Sequence, residues 1–193
     1  GSIDPSGNVF LGLNAGTGEV SSQNTGIGAW ALRSITSGRY NTAIGVSALS
    51  SNTTGQENVG TGSMALYANT TGAENTANGA SALSSNTSGE ANTASGYGSL
   101  SFNETGGYNT ANGYRSLMWS NGNQNTSNGA FSLRSNQTGS GNTANGYSAL
   151  SSNGNGNYNT AIGHGADVAS GNLENATAIG HNAIVDASNQ VQI

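Results

Sequence analysis

Cysteine is absent from the sequence, which excludes disulfides, thiol nucleophiles and cysteine-ligated metals. Lysine is absent as well. Four arginines (Arg33, Arg39, Arg115 and Arg134) against nine acidic residues leave a net charge of −5. That balance offers no basic patch to track a phosphate backbone, so nucleic acid is not an expected partner. No apolar run approaches the roughly 20 residues of a membrane-spanning helix and no signal peptide is visible, so membrane insertion is not expected. Proline occurs once, and only 7% of the residues are charged and 33% hydrophobic. By composition alone, a chain so poor in large apolar side chains, with 31 glycines in 193 residues, would be classed as disordered.

What is present overturns that reading. A short motif recurs at Asn8, Asn24, Asn41, Asn58, Asn75, Asn92, Asn109, Asn125, Asn142, Asn159 and Ala176, at intervals of 17 residues except for two of 16. A fixed short period is the signature of a solenoid, in which no coil can bury its face alone. Numbering each repeat from its Asn as position 0, position 4 is glycine throughout, from Gly12 and Gly28 to Gly163 and Gly180. Position 8 is leucine in eight successive repeats: Leu32, Leu49, Leu66, Leu83, Leu100, Leu117, Leu133 and Leu150. Position 2 is almost always Ala, Gly or Ser, and a second turn closes each coil at glycines such as Gly38, Gly55 and Gly72. No segment has apolar residues at helical spacing.

The expected fold is therefore all-β: a parallel β-solenoid of about 10–11 coils, each made of two short strands and two Gly/Asn turns. Coils stacked at about 4.8 Å make a rod on the order of 50 Å long. Residues 1–7 form a lead-in in which Gly1-Ser2 looks like a tag scar and Asp4-Pro5-Ser6-Gly7-Asn8 a turn; 8–181 carry the repeats. Residues 182–193 become more apolar and are expected to form a cap or a junction strand to a further domain.

The strings Asn-Thr-Ala-Ile-Gly at 41–45 and 159–163 and Ala-Thr-Ala-Ile-Gly at 176–180 resemble the head repeat of YadA-like trimeric autotransporter adhesins. The longer unit NTAIGVSALSSNTTG at 41–55 is similar to repeats of phage tail fibres and bacterial surface fibres that lie upstream of intramolecular chaperone domains. The resemblance covers about residues 8–193. It implies a left-handed β-roll that assembles as a homotrimer, on a cell surface or virion, and that presents or contributes to binding of a host or prey receptor or glycan. It implies no catalytic residue, cofactor or metal.

Position 3 departs from the pattern of that family. It is apolar in the outer repeats (Leu11, Ile27, Ile44, Ile162, Ile179) and polar in the six middle ones. Positions 1 and 3 share one face of a strand and positions 2 and 4 the other. In one register Thr and Ile/Asn point into the coil, and the small residues face a neighbouring chain across a trimer axis. An asparagine column in the core then demands amides bonded from coil to coil, because a buried unpaired amide costs roughly 1–3 kcal/mol. In the other register the small residues pack inward and Thr-x-Asn forms a flat outward array capable of ordering water like an ice surface. The array comprises Thr76, Asn78, Thr93, Ser95, Thr110, Asn112, Thr126, Asn128, Thr143 and Asn145. The first register is favoured, since the second leaves four isoleucines exposed.

Other candidates are sparse. His164 and His181 occupy position 5 of adjacent repeats; in a trimer they offer a metal cluster, but they fit better as members of a surface column with Tyr97, Tyr114 and Tyr147. Glu57 and Glu74 also stack, with Glu90 displaced by a residue, and read as a solvated edge. Trp30, Trp119 and Tyr114 are candidates to stack on sugar rings. The sequence predicts a non-enzymatic fibre segment with adhesive function, with ice binding as the rival.

Overall fold

The computed structural model describes residues 2–3, 6–18 and 22–193. The expected turn at Asp4-Pro5 lies outside them. Among the described residues there is no helix. A 13-stranded sheet runs the length of the chain, in which the three-residue strands from Val9–Leu11 through Thr177–Ile179 pair in parallel with the next coil. At one end Ser2–Ile3 pairs antiparallel with Val9–Leu11. At the other, Val191–Gln192 continues the parallel order against Thr177–Ile179, so residues after 181 add part of a further coil. The pairing keeps equivalent residues in line: Thr25 opposite Thr42, Gly26 opposite Ala43, Ile27 opposite Ile44.

The register is the reverse of the favoured one. Position 2 is buried in the chain itself (Ala43, Ala77, Ala94, Ala111, Ala144, Ala161 and Ala178 have no exposed surface), while positions 1 and 3 point outward. Ile44 is 43% exposed and Ile162 44%. The width of the coil decides this. A Cβ on Gly60 would lie 3.3 Å from the Ala65 carbonyl oxygen and 3.5 Å from Leu49, so the space opposite position 2 in the regular coils takes only a small side chain. The leucine column supplies the large side chains of the core, with every Leu from Leu32 to Leu150 fully buried.

Amides do stack in the core, but in a different column from the one anticipated. Position 0 holds the ladder. Asn41 donates from Nδ2 to Asn24 Oδ1 (3.1 Å) and to the carbonyl of Gly55 (2.8 Å), and its backbone N–H donates to the same Asn24 oxygen at 3.0 Å. The pattern recurs through Asn58, Asn75, Asn92, Asn109, Asn125 and Asn142. Both amide hydrogens and the amide oxygen are used, which is what makes a buried polar column tolerable. A second ladder runs through position 11 at Asn52, Asn69, Asn86 and Asn103, each amide bonding to the turn glycine three residues on.

The second side of each coil is not the expected strand. It still bonds from coil to coil, as in Leu49 N–H to the Ala65 carbonyl at 2.9 Å, but its backbone alternates into the left-handed region. Position 6 has φ near +60° (Trp30, Met64, Phe131) and the leucines lie between +47° and +52°. Bulky residues rarely adopt that conformation, at about 1–2 kcal/mol each; burial of the leucine side chain offsets it. Where position 8 is Asp167 and Ile184 instead of Leu, a regular pair does form, Asp167–Val168 beside Ile184–Val185. Position 4 needs glycine on two counts. Gly45 has φ of +137°, and a Cβ there would sit 2.5 Å from the Gly62 carbonyl oxygen of the next coil.

Candidate functional site: strand face and aromatic edges

Outward side chains at positions 1 and 3 make a surface two columns wide, because each strand is only three residues long. All ten residues of the Thr-x-Asn array lie on it. The position-3 column is partly tied from coil to coil: Thr61 donates to Asn78 Oδ1 at 2.9 Å, and Asn112 donates from Nδ2 to Asn128 Oδ1 at 2.9 Å. No charged residue occupies either column between Val9 and Ile179. Leu11, Ile27 and Ile44 expose apolar surface at one end of the face and Ile162 at the other, with the polar segment between them.

A second feature follows the edge at position 5. The rings of Tyr97, Tyr114, Phe131, Tyr147, His164 and His181 form one continuous column, with centroids 5.1–5.8 Å apart. Phe131 belongs to position 6 and enters edge-on between two tyrosines; the others stack. Arg115 lies over the Tyr114 ring at 5.1 Å and Arg134 over Phe131 at 5.7 Å, both within cation–π range. His164 and His181 stack on each other at 5.3 Å, as members of the surface column. Among the described residues no group of three or more His, Cys, Asp or Glu side chains comes together as a metal site.

The third feature is an aromatic pair that the sequence pattern did not single out. Phe102 and Trp119, both at position 10 of neighbouring coils, stack with centroids 3.9 Å apart and planes 4° from parallel. Beside them opens a cavity of about 530 Å³ lined by Phe102, Trp119, Asn121, Ser135, Gln137 and Thr138. Position 10 is Ser or Ala in the other complete repeats from Asn24 to Asn142, and that contrast was the available signal for pairing Phe102 with Trp119. The three candidates for sugar stacking are not brought together. Tyr114 belongs to the position-5 column, and Trp30 lies five coils, roughly 24 Å, along the rod from Trp119.

The carboxylates sit on another edge. Glu57 and Glu74 are exposed, and their backbone N–H groups bond to the coil before. Glu90 accepts a hydrogen bond from the Tyr108 hydroxyl at 3.1 Å. That bond, and the negative charges of Glu90 and Glu74, raise the Tyr108 pKa above its ordinary value. Asp167 is the buried acid, and its carboxylate accepts from the Ser151 hydroxyl and the Ser152 and Val168 N–H groups. The surfaces thus offer neutral amides, hydroxyls and aromatic faces, with acids and guanidiniums at the margins. No protein-family profile, curated protein or solved structure matches the chain.

Proposed function

We propose that the chain is a non-enzymatic structural and adhesive segment of a fibre, in which three copies pack their strand faces around a common axis. The observation that carries this reading is the strand face: free of charge, apolar at both ends and amide-rich in the middle. Contiguous exposed apolar surface on an otherwise polar rod favours cover, and depletion of charge is the compositional mark of an interface core. A polar middle segment disfavours slipped or inverted pairing, as a single buried asparagine does in coiled coils. The resemblance to trimeric fibre repeats, with its left-handed roll and its location outside the cell or on a virion, supports three chains around an axis, with positions 1 and 3 at the seam in place of the small residues expected there. In such a fibre the segment would space and present a receptor-binding element. Light scattering coupled to size exclusion is expected to give three chains per particle; a clean monomer at micromolar concentration sinks this reading.

A second reading rests on the same face. Across the six middle repeats Thr-x-Asn, Thr-x-Ser and Val-x-Thr units point outward at the coil spacing, an arrangement able to hold an ordered layer of water against ice. It predicts thermal hysteresis that Asn112→Tyr or Thr110→Tyr abolishes. A sample that leaves ice growth unchanged ends it. The two readings exclude each other on this face, since a surface sealed in a trimer cannot meet ice.

A further inference from the structure

The coil that carries Trp119 is irregular in three ways at once. Its repeat, Asn109 to Asn125, is one of the two 16-residue intervals. Asn109 bonds to the Gly122 carbonyl 13 residues on, where the other ladder amides reach 14, so the missing residue lies in the turn after Ser120. Ser120 also replaces the asparagine of the second ladder and leaves Asn103 Oδ1 buried without a partner. In the regular coils Thr53 and Thr54 N–H groups donate to the Thr70 carbonyl. Here the Asn121 side-chain oxygen takes over, accepting from Glu104 N–H at 2.7 Å and Thr105 N–H at 3.3 Å. A coil in which these three departures coincide, beside the one stacked Phe–Trp pair among the described residues, is expected to carry them for function.

The broken rules produce a slot. Deletion of the turn residue removes the side chain that would stack between Thr105 and Thr138, and Ser135 in the next coil leaves one indole face uncovered. Phe102 braces the other face. Around the opening stand Asn121 Nδ2, the Gln137 carboxamide and the Ser135 hydroxyl, none with a hydrogen-bond partner among the described residues. Every lining residue is neutral. The volume falls within the roughly 300–1,000 Å³ of small-ligand pockets.

We infer that this slot binds a neutral saccharide, with one pyranose ring laid on the free face of Trp119 and its hydroxyls bonded to Asn121, Ser135 and Gln137. A pyranose has the required shape: a C–H face for an aromatic surface and equatorial hydroxyls that both donate and accept, which carboxamides match. The absence of charge in the lining sets neutral sugars above sialylated or sulfated ones. Positions 7 to 10 pack across the core from the strand, as the 2.5 Å contact of Ser132 Oγ with Ser127 Oγ illustrates, so the slot is on the side away from the strand face. The inference names a ligand class for the adhesive role but does not require the trimer: failure of the three-chain mass leaves it standing.

An array of neutral and sialylated oligosaccharides, probed with the full chain, tests this, followed by calorimetric titration of the best neutral binder into the parent and its variants. Binding is expected for a subset of neutral sugars. Trp119→Ala and Gln137→Ala should weaken it about tenfold or more, and Trp119→Phe less, while Tyr114→Ala on the other edge changes nothing. Inserting threonine between Asn121 and Gly122, which restores the 17-residue turn, should close the slot and abolish binding without loss of β-structure. Failure of every neutral sugar to bind, a preference for sialylated ones, or binding that survives Trp119→Ala with unchanged affinity overturns the inference.

Discussion

At the scale of single residues, the most consequential atom is Asn103 Oδ1, a buried acceptor without a partner because Ser120 interrupts the amide ladder. On the far side of the gap, Asn136 Nδ2 donates to Ser120 Oγ at 3.2 Å. Asparagine at 120 would reach both neighbours. Ser120→Asn is expected to raise unfolding free energy by about 1–3 kcal/mol, the cost of a buried unpaired polar group, read by chemical denaturation. A neutral or destabilising result means that the shortened turn has no room for the amide. Tyr108 offers a titration. Its pKa is raised because the protonated hydroxyl donates to Glu90 and the phenolate would face negative charge. The folded-state value thus exceeds the unfolded one, so any stability from the pair is complete below the ordinary tyrosine range and disappears as pH climbs through the raised value. Tyr108, read as the ultraviolet absorbance difference between the parent and Tyr108→Phe, should titrate above the ordinary tyrosine range, and Glu90→Ala should lower it.

At the scale of the coil, two asparagines three residues apart have opposite fates. Asn75 is a ladder member with its amide fully bonded, whereas Asn78 points to solvent from the strand. Asn75→Ala would strip Asn92 of the oxygen that accepts from its backbone and side-chain N–H groups. We expect a cost of about 2–4 kcal/mol, against less than about 0.5 kcal/mol for Asn78→Ala. Equal losses in thermal or denaturant melts would put the strand in the other register. This pair also marks how far the sequence could be read. The period, the glycine column and the leucine column were legible because they recur at fixed positions in nearly every repeat. The register was not, because a three-residue strand alternates only once, and a one-residue slip exchanges its faces. Isoleucine at position 3 drew the strand inward in that reading, but the clearance opposite Gly60 and Ala77 admits only small groups. Nor could Asn75 be told from a turn residue, since its value lies in bonds to Asn58 and Gly89 that only stacking creates. Trp119 was visible as a candidate, and its partner Phe102 could be found from their shared position 10; the slot depended on the shortened turn.

At the scale of the whole molecule, stability passes from coil to neighbouring coil. The sheet, both amide ladders and the leucine column all connect adjacent coils, and no disulfide ties distant ones together. A solenoid of this kind tolerates change on its outer surface, because positions 1 and 3 contribute little to its core. The strand face can therefore be altered without unfolding the rod, which makes it a clean place to ask what it meets. Ile27→Asp with Ile44→Asp sets two carboxylates per chain into the apolar end of the face. If three copies meet there, each assembly must bury six uncompensated charges near one axis, and the cost should exceed what the remaining contacts supply. The expected result is a monomer by light scattering whose β-sheet circular dichroism matches the parent. A double variant that stays trimeric would place the axis on another face, such as the ring column from Tyr97 to His181. A parent that is already monomeric, with ice activity lost in Asn112→Tyr and kept in the double aspartate variant, would assign the middle of the face to ice.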